Sequence, residues 1–315
     1  MTLAESEEAL PADHPHRPSV GDEVPAPRPR RRFEGLRYAF YLLRRSPSSM
    51  LGAFIVGLFV VAALFGRWIV PYPDDLGGAV DMANRLQPPS AAHWFGTDDV
   101  GNDIFSRVVY GSGISLQIGL LVTSIAAIIG APLGILAGYA GGATRRVIMW
   151  VTNLFLSVPG LVLAIALVAV IGPGIFNAIV ALALVWWPGY VRLLDAKTQA
   201  LKEETFVEAA RSLGAGTPRI VFRYLLPNCV SPLIVKASMD MGTAILAAAS
   251  LGFLGLGAKP PTPEWGAMLS VARAYLPQWW WYAFFPGMAI YLSVLGFNLL
   301  GDGLRDILDP RSQSK

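Results

Sequence analysis

Long uncharged blocks separated by short polar breaks dominate this chain. Ser46 to Gly66 carries no charge. A helix of about 20 apolar residues crosses a bilayer, so a first span is expected at 49–70. Val108 to Thr144 is also uncharged and exceeds one span, which places a second helix near 115–139 with Pro132 as a tolerated kink. Arg145 and Arg146 then mark a short turn. The uncharged run from Val147 to Val191 is divided by Gly172-Pro173-Gly174 into spans near 148–171 and 176–193. A fifth span is expected at about 231–256, with Lys236 and Asp240 inside it, and a sixth at about 283–304. The pattern predicts an all-α integral membrane protein with six transmembrane helices, five of them in a core over 115–304.

One polar island interrupts this core at 203–228. Its centre, TFVEAARSLGAGTPRIVFRYLLPN from Thr205 to Asn228, reads as two short helices. Thr205 and Glu208 have the spacing of a capping box. Gly214 follows Leu213 where a left-handed helix end is expected. Thr217 is placed to cap a second helix with Pro218 at its first position, and Pro227 is expected to stop it. Phe206, Ala210 and Leu213 share one face of the first helix, and Ile220, Val221, Tyr224 and Leu225 one face of the second. A rigid helix–turn–helix between membrane spans has the form of a docking element. An amphipathic pair lying on lipid headgroups is the plainer alternative.

The flanks are simpler. Residues 1–32 are rich in Pro, Glu and Arg and read as a disordered tail. Residues 33–48 repeat Phe33, Leu36, Phe40 and Leu43 at helical spacing beside Arg37, Arg44 and Arg45, the pattern of an amphipathic helix on a membrane surface. Residues 71–114 form a polar outer loop whose aspartates lack the spacing of a calcium loop, and 305–315 a short polar tail. Trp279-Trp280-Trp281 suits an interfacial belt.

Composition narrows the function. The chain has 315 residues, 54% hydrophobic and 15% charged, with a formal net charge of +3, which implies no nucleic-acid partner. Cys229 is the single cysteine, so no intramolecular disulfide is possible, and His14, His16 and His93 form no metal constellation. No phosphate-binding P-loop is present, so any ATP and Mg must sit on another chain. Of 25 Lys and Arg, the alternate loops hold only Arg67, Arg85, Arg107, Lys259 and Arg273, and Lys236 lies within a span. Both termini, the Arg145–Arg146 turn and the polar island should therefore be cytosolic.

The island carries a family resemblance. Glu208, Ala209 and Ala210, then Gly214, Ile220, Leu226 and Pro227, resemble the EAA loop of ABC importer permeases. GTDDVGND, SLGFLGLGAKPPTPEWGAML and NLLGDGLRDILDPR are similar, in order, to blocks of the dipeptide/oligopeptide/nickel permeases, C-type subunit. Asn102 stands where those usually have arginine, and Ala248 where many have glutamate. The resemblance implies a type I importer permease fold. It also implies coupling to an ATPase through Glu208, Ala209, Ala210, Arg211, Leu213, Gly214 and Ile220. The implied partners are a second permease in a heterodimer, two cytosolic ATPase subunits that hold ATP and Mg, an extracytoplasmic solute-binding protein and membrane lipid. No cofactor is expected on this chain, and the expected site is a bacterial inner membrane. Asp240 and Asn298 are the candidate pathway residues, with an i,i+4 pair to Lys236 as the structural alternative for Asp240. The expected function is ATP-driven peptide import by alternating access. Import of nickel or another small solute, and a non-transporting scaffold, are the alternatives.

Overall fold

A computed structural model describes residues 46–308. The expectations for 1–32, for 33–45 of the amphipathic helix and for 309–315 of the tail lie outside the described residues. The architecture is helical: α1 (Pro47–Ile69), α2 (Ile104–Ala140), α3 (Gly142–Leu156), α4 (Gly160–Ile171), α5 (Ile175–Lys202), α6 (Thr205–Ser212), α7 (Thr217–Ile220), α8 (Leu226–Phe253), α9 (Trp265–Ala272) and α10 (Trp280–Leu308). Among the described residues no strand forms. A lone bridge pairs Thr97 with Asp103.

Five helices are long and apolar enough to span a membrane, and a sixth span forms if α3 and α4 count as one. These two meet at an angle of 86°. The expected continuous helix over 148–171 is therefore broken. Pro159 sits just ahead of α4, and its ring and missing amide forbid a straight helix through the preceding turn.

Several boundaries differ from the hydropathy pattern, for local reasons. Residues 104–114, expected in the outer loop, open α2. Asp103 caps that helix: its carboxylate accepts the Ser106 amide at 2.8 Å and the Ser106 hydroxyl at 2.7 Å. At 37 residues and ~1.5 Å each, α2 is longer than the hydrocarbon core, so its polar first turns lie beyond it. Ser46 caps α1, and residues 47–48 belong to that span rather than to an interfacial helix. Arg305 to Leu308 continue the last helix instead of starting a tail. Pro227 does not end the second island helix. Over Val221–Leu225 the turns widen, and the Leu226 amide reaches back five residues to the Val221 carbonyl. Such a π-type bulge absorbs an extra residue within a continuous helix, here just ahead of a proline that has no amide to place. The helix then runs unbroken from Thr217 to Phe253.

Small residues bring the helices together. Along α2, Gly130, Gly134 and Gly138 face α5, and a Cβ there would meet the carbonyl oxygens of Trp187, Val191 and Asp195 at 2.5, 2.7 and 2.7 Å. Only a bare backbone allows that approach, which is how membrane helices pack when water supplies no hydrophobic drive. Trp265 of α9 is fully buried, and its indole nitrogen donates to the Val108 carbonyl at 3.0 Å. The tryptophan triplet divides: Trp280 is half exposed, whereas Trp281 packs into the core and does not belong to a surface belt.

Candidate functional site

The polar island forms a helix–turn–helix at one end of the bundle. Its inner face is apolar: Val207, Ile220 and Leu225 pack with Ile135, Leu194 and Leu201, and Ala210 is buried. Gly214 has φ +82°, the left-handed conformation expected of it, and turns the chain between α6 and α7. The expected caps are not made. Thr205 is the first helical residue, Glu204 precedes it, and no side chain caps α6. Gly216, not Thr217, precedes α7. Both helices begin one residue earlier than the capping motifs require, so each hydroxyl lies inside the helix, where it cannot reach the orphan amides.

This geometry separates the island's candidate residues. Glu208, Ala209, Arg211, Leu213 and Gly214 lie on the exposed side, while Ala210 and Ile220 point inward and hold the element to the bundle. Leu213, expected on one face with Phe206 and Ala210, is 88% exposed, whereas Ala210 is buried, because the helix ends at Leu213 and the chain turns away. Phe222 is 70% exposed. The exposed side chains of the island thus include a carboxylate, a guanidinium and two large apolar groups. Exposed apolar groups amid charge mark contact surfaces.

A second concavity opens along α8. Its volume is about 660 Å³, open to one side, and Asp240 and Asn298 both line it, so the structure brings these two candidates together from different helices. Lys236 pairs with Asp240, Nζ to Oδ2, at 3.0 Å. The ammonium also lies 5.1 Å from the centre of the Tyr190 ring. Lys197, Arg305 and Thr243 line the same space. Lys197 and Arg305 carry no site signal in the sequence beyond their bearing on orientation; Tyr190 has none. Their positions depend on how α5 and α10 pack beside α8.

A further charged contact was not anticipated. Asp195 of α5 is buried, and Arg145 of α3 grips it from the turn after α2. Gln199 adds a hydrogen bond to the same carboxylate at 3.0 Å. A lone carboxylate between apolar residues in α5 was the available signal.

At the far end of the bundle the outer loop is tightly bonded. Asp98 accepts the Val100 and Asn102 amides at 3.0 and 2.8 Å and the Asn102 side chain at 3.2 Å, and it faces Arg107 at 3.5 Å. Burial pushes its carboxyl above the usual range despite that guanidinium. Asn102 therefore serves as a donor inside the loop. Arg107 ties the layer together, donating to the carbonyls of Asp75 and Pro261 at 3.1 and 3.0 Å. Glu264 caps α9 through the Gly266 and Ala267 amides, both at 2.8 Å. Among the described residues no group of three His, Cys, Asp or Glu is placed to hold a metal. Ala248 is buried in the helix core, so it offers no polar contact there.

Helices long and apolar enough to span a membrane surround a charged concavity, with a polar helix–turn–helix at one end, an arrangement that fits a membrane permease. The chain belongs to the family described as binding-protein-dependent transport system inner membrane component, whose model matches residues 130–314. A second model, the N-terminal TM domain of oligopeptide transport permease C, matches residues 36–89. The chain is 45% identical over 298 residues to the probable D,D-dipeptide transport system permease protein DdpC of Escherichia coli (strain K12), covering 94% of this chain and 99% of that one. It is 45% identical to the dipeptide transport system permease protein DppC of Alkalihalophilus pseudofirmus, covering 88% and 90%. It is 50% identical to the glutathione transport system permease protein GsiD of Escherichia coli O6:K15:H31, covering 85% and 88%. In structure it is similar to a chain of the inward-facing MetNI methionine ABC transporter. There the TM-score is 0.53 and the identity 22%, covering 65% of this chain and 97% of that one, a likeness of fold. The chain is thus an ABC-importer permease that crosses the membrane several times.

Proposed function

We propose that this chain is one of two permease subunits of an ATP-driven importer of short peptides in a bacterial cytoplasmic membrane, with both termini cytosolic. The peptide assignment rests on relatives named for D,D-dipeptides, dipeptides and glutathione. The orientation rests on the Lys and Arg bias. Two cytosolic ATPase subunits hold ATP and Mg, and an extracytoplasmic binding protein delivers solute.

One observation carries the mechanism: the island presents Leu213 and Phe222 outward beside Glu208 and Arg211, on a turn set by Gly214 and anchored by Ala210 and Ile220. An ATPase that grips this surface moves it as a unit. Because α7 and α8 are one continuous helix, the motion is passed directly to the segment that carries Asp240 and Lys236. A rigid helix transmits displacement at one end to a site halfway along it, which is what alternating access requires.

The test co-expresses the chain with its neighbouring permease, ATPase and binding-protein genes. Leu213→Asp and Phe222→Asp should leave membrane levels unchanged but reduce ATPase recovery and dipeptide uptake in proteoliposomes. Normal ATPase recovery with both variants overturns the docking role. Uptake of nickel but not dipeptide overturns the peptide assignment. Recruitment of a cytosolic partner without uptake of any solute supports a scaffold instead.

A further inference from the structure

The Lys236–Asp240 pair has a setting that a purely structural pair does not need. It sits about halfway along α8, on the side that opens into the concavity, at 3.0 Å between Nζ and Oδ2 and 3.2 Å between Nζ and Oδ1. Charge inside a membrane span is costly and concentrates where it has a task. Among the described residues lining the space, Asp240 is the one carboxylate, against the cations Lys197, Lys236 and Arg305. The concavity therefore offers two unlike ends: a single acidic point and a basic surround.

Resting on the peptide reading above, we propose that Lys236 and Asp240 are an exchangeable pair that parts to receive a zwitterionic peptide, Asp240 taking its ammonium terminus and Lys236 its carboxylate. The size is suitable, since about 660 Å³ is within the range of small-molecule sites. The geometry explains why the pair must part. A dipeptide spans roughly 7 Å between its ends, more than the pair's own separation. Lys236 is the mobile member, because its four-carbon stem is flexible whereas the aspartate stem is short. The Tyr190 ring beneath the ammonium gives the lysine a second contact, so it is not stranded when it leaves Asp240. Exchange conserves charge: each partly buried charge loses one partner and gains another, so no uncompensated ion forms in the span.

The test reads occupancy without relying on delivery by a binding protein. Thr243 lines the concavity, and the single native cysteine can be removed as Cys229→Ala. In that background, alkylation of Thr243→Cys is timed in the assembled transporter. The probes are Ala-Ala, its N-acetyl form, its C-terminal amide and the doubly blocked peptide. Ala-Ala should protect best, each singly blocked form should protect with roughly tenfold lower affinity, and the doubly blocked form should protect least, because each block removes a charge-assisted contact. Asp240→Asn should erase the difference between Ala-Ala and its N-acetyl form alone. Lys236→Met should erase the difference between Ala-Ala and its amide alone. The ranking with the pair intact requires no change to either charge, so it decides the proposal even where a pair variant fails to assemble. Equal protection by all four peptides, or none by any, overturns the exchange. ATP-driven Ala-Ala uptake by the unaltered transporter is measured in parallel. Uptake with equal protection rejects the exchange while keeping peptide import. Absence of uptake rejects peptide import and the exchange with it.

Discussion

Arg145 holds Asp195 with two nearly parallel hydrogen bonds, Nε to Oδ1 at 2.9 Å and Nη2 to Oδ2 at 3.0 Å. The fork joins the first turn of α3 to the part of α5 that leads into the polar island. Asp195 is buried, whereas Arg145 is partly exposed. Removing the guanidinium leaves a buried carboxylate with Gln199 as its remaining side-chain donor. Removing both charges leaves none. Arg145→Met should therefore lower the thermal midpoint of the detergent-solubilised protein more than the double change Arg145→Met with Asp195→Leu does. Fluorescence-detected size-exclusion after heating measures it. A double variant no better than the single one would show that the fork contributes net stability.

Gly214 and Glu208 should fail in different ways. A Cβ on Gly214 would meet nothing within 4 Å, so any cost there is backbone strain at φ +82°. Gly214→Ala should destabilise the turn by about 1 kcal/mol, Gly214→Val by more and Gly214→Asn by less, since asparagine tolerates this conformation. Glu208 caps nothing, so Glu208→Ala should change stability by less than about 0.5 kcal/mol while reducing ATPase recovery. Limited proteolysis of the island, read beside co-purification, separates the two effects. A large stability loss in Glu208→Ala would contradict the exposed, uncapped geometry.

Two helix glycines provide a matched contrast. Gly134 lies against Val191, where an added Cβ would come within 2.7 Å of a carbonyl oxygen, whereas a Cβ on Gly57 would meet nothing. Gly134→Ala should push α2 from α5 and lower the thermal midpoint. Gly57→Ala should be neutral or raise helix stability by up to about 1 kcal/mol. Equal effects at the two sites would refute close α2–α5 packing.

The outer loop should be sensitive to pH. Burial raises the carboxyl pKa of Asp98 and of Asp75 above the ordinary carboxylate value of 3.8. A raised folded-state pKa means that the folded loop holds its proton longer than the unfolded chain. This contribution is complete below 3.8 and is lost as pH rises through the folded value. Hydrogen exchange of the Val100 and Asn102 amides, corrected for intrinsic rates, should show less protection at about pH 7 than near pH 3.8. Asp98→Asn should flatten that change. Protection that grows with pH would reverse the assignment.

Much of this protein was legible one segment at a time. Uncharged blocks located the spans, because a bilayer rejects unpaired charge wherever it occurs in the chain. Gly214 was legible because a left-handed turn selects glycine locally. The i,i+4 spacing also announced the Lys236–Asp240 contact, which the helix alone produces. Capping failed at Thr205 and Thr217 because a one-residue shift in a helix start moves a hydroxyl from cap to first turn. Hydropathy also missed the 86° break between α3 and α4, since a bent pair and a straight span contain the same apolar residues.

What the sequence by itself determined is the run of apolar segments long enough to span a membrane and the chemical character of the island, both products of short-range rules: apolar length, helical period and glycine freedom. Only the tertiary structure decided which charges meet. Arg145 finds Asp195, 50 positions away, because α3 folds back beside α5. Asn298 reaches the Asp240 concavity because α10 packs against α8. Leu213 turns outward while Ile220 turns inward because the island rests on one face against α2 and α5. Side chains distant in sequence become neighbours through the helix packing that small residues permit, and no local pattern encodes that placement.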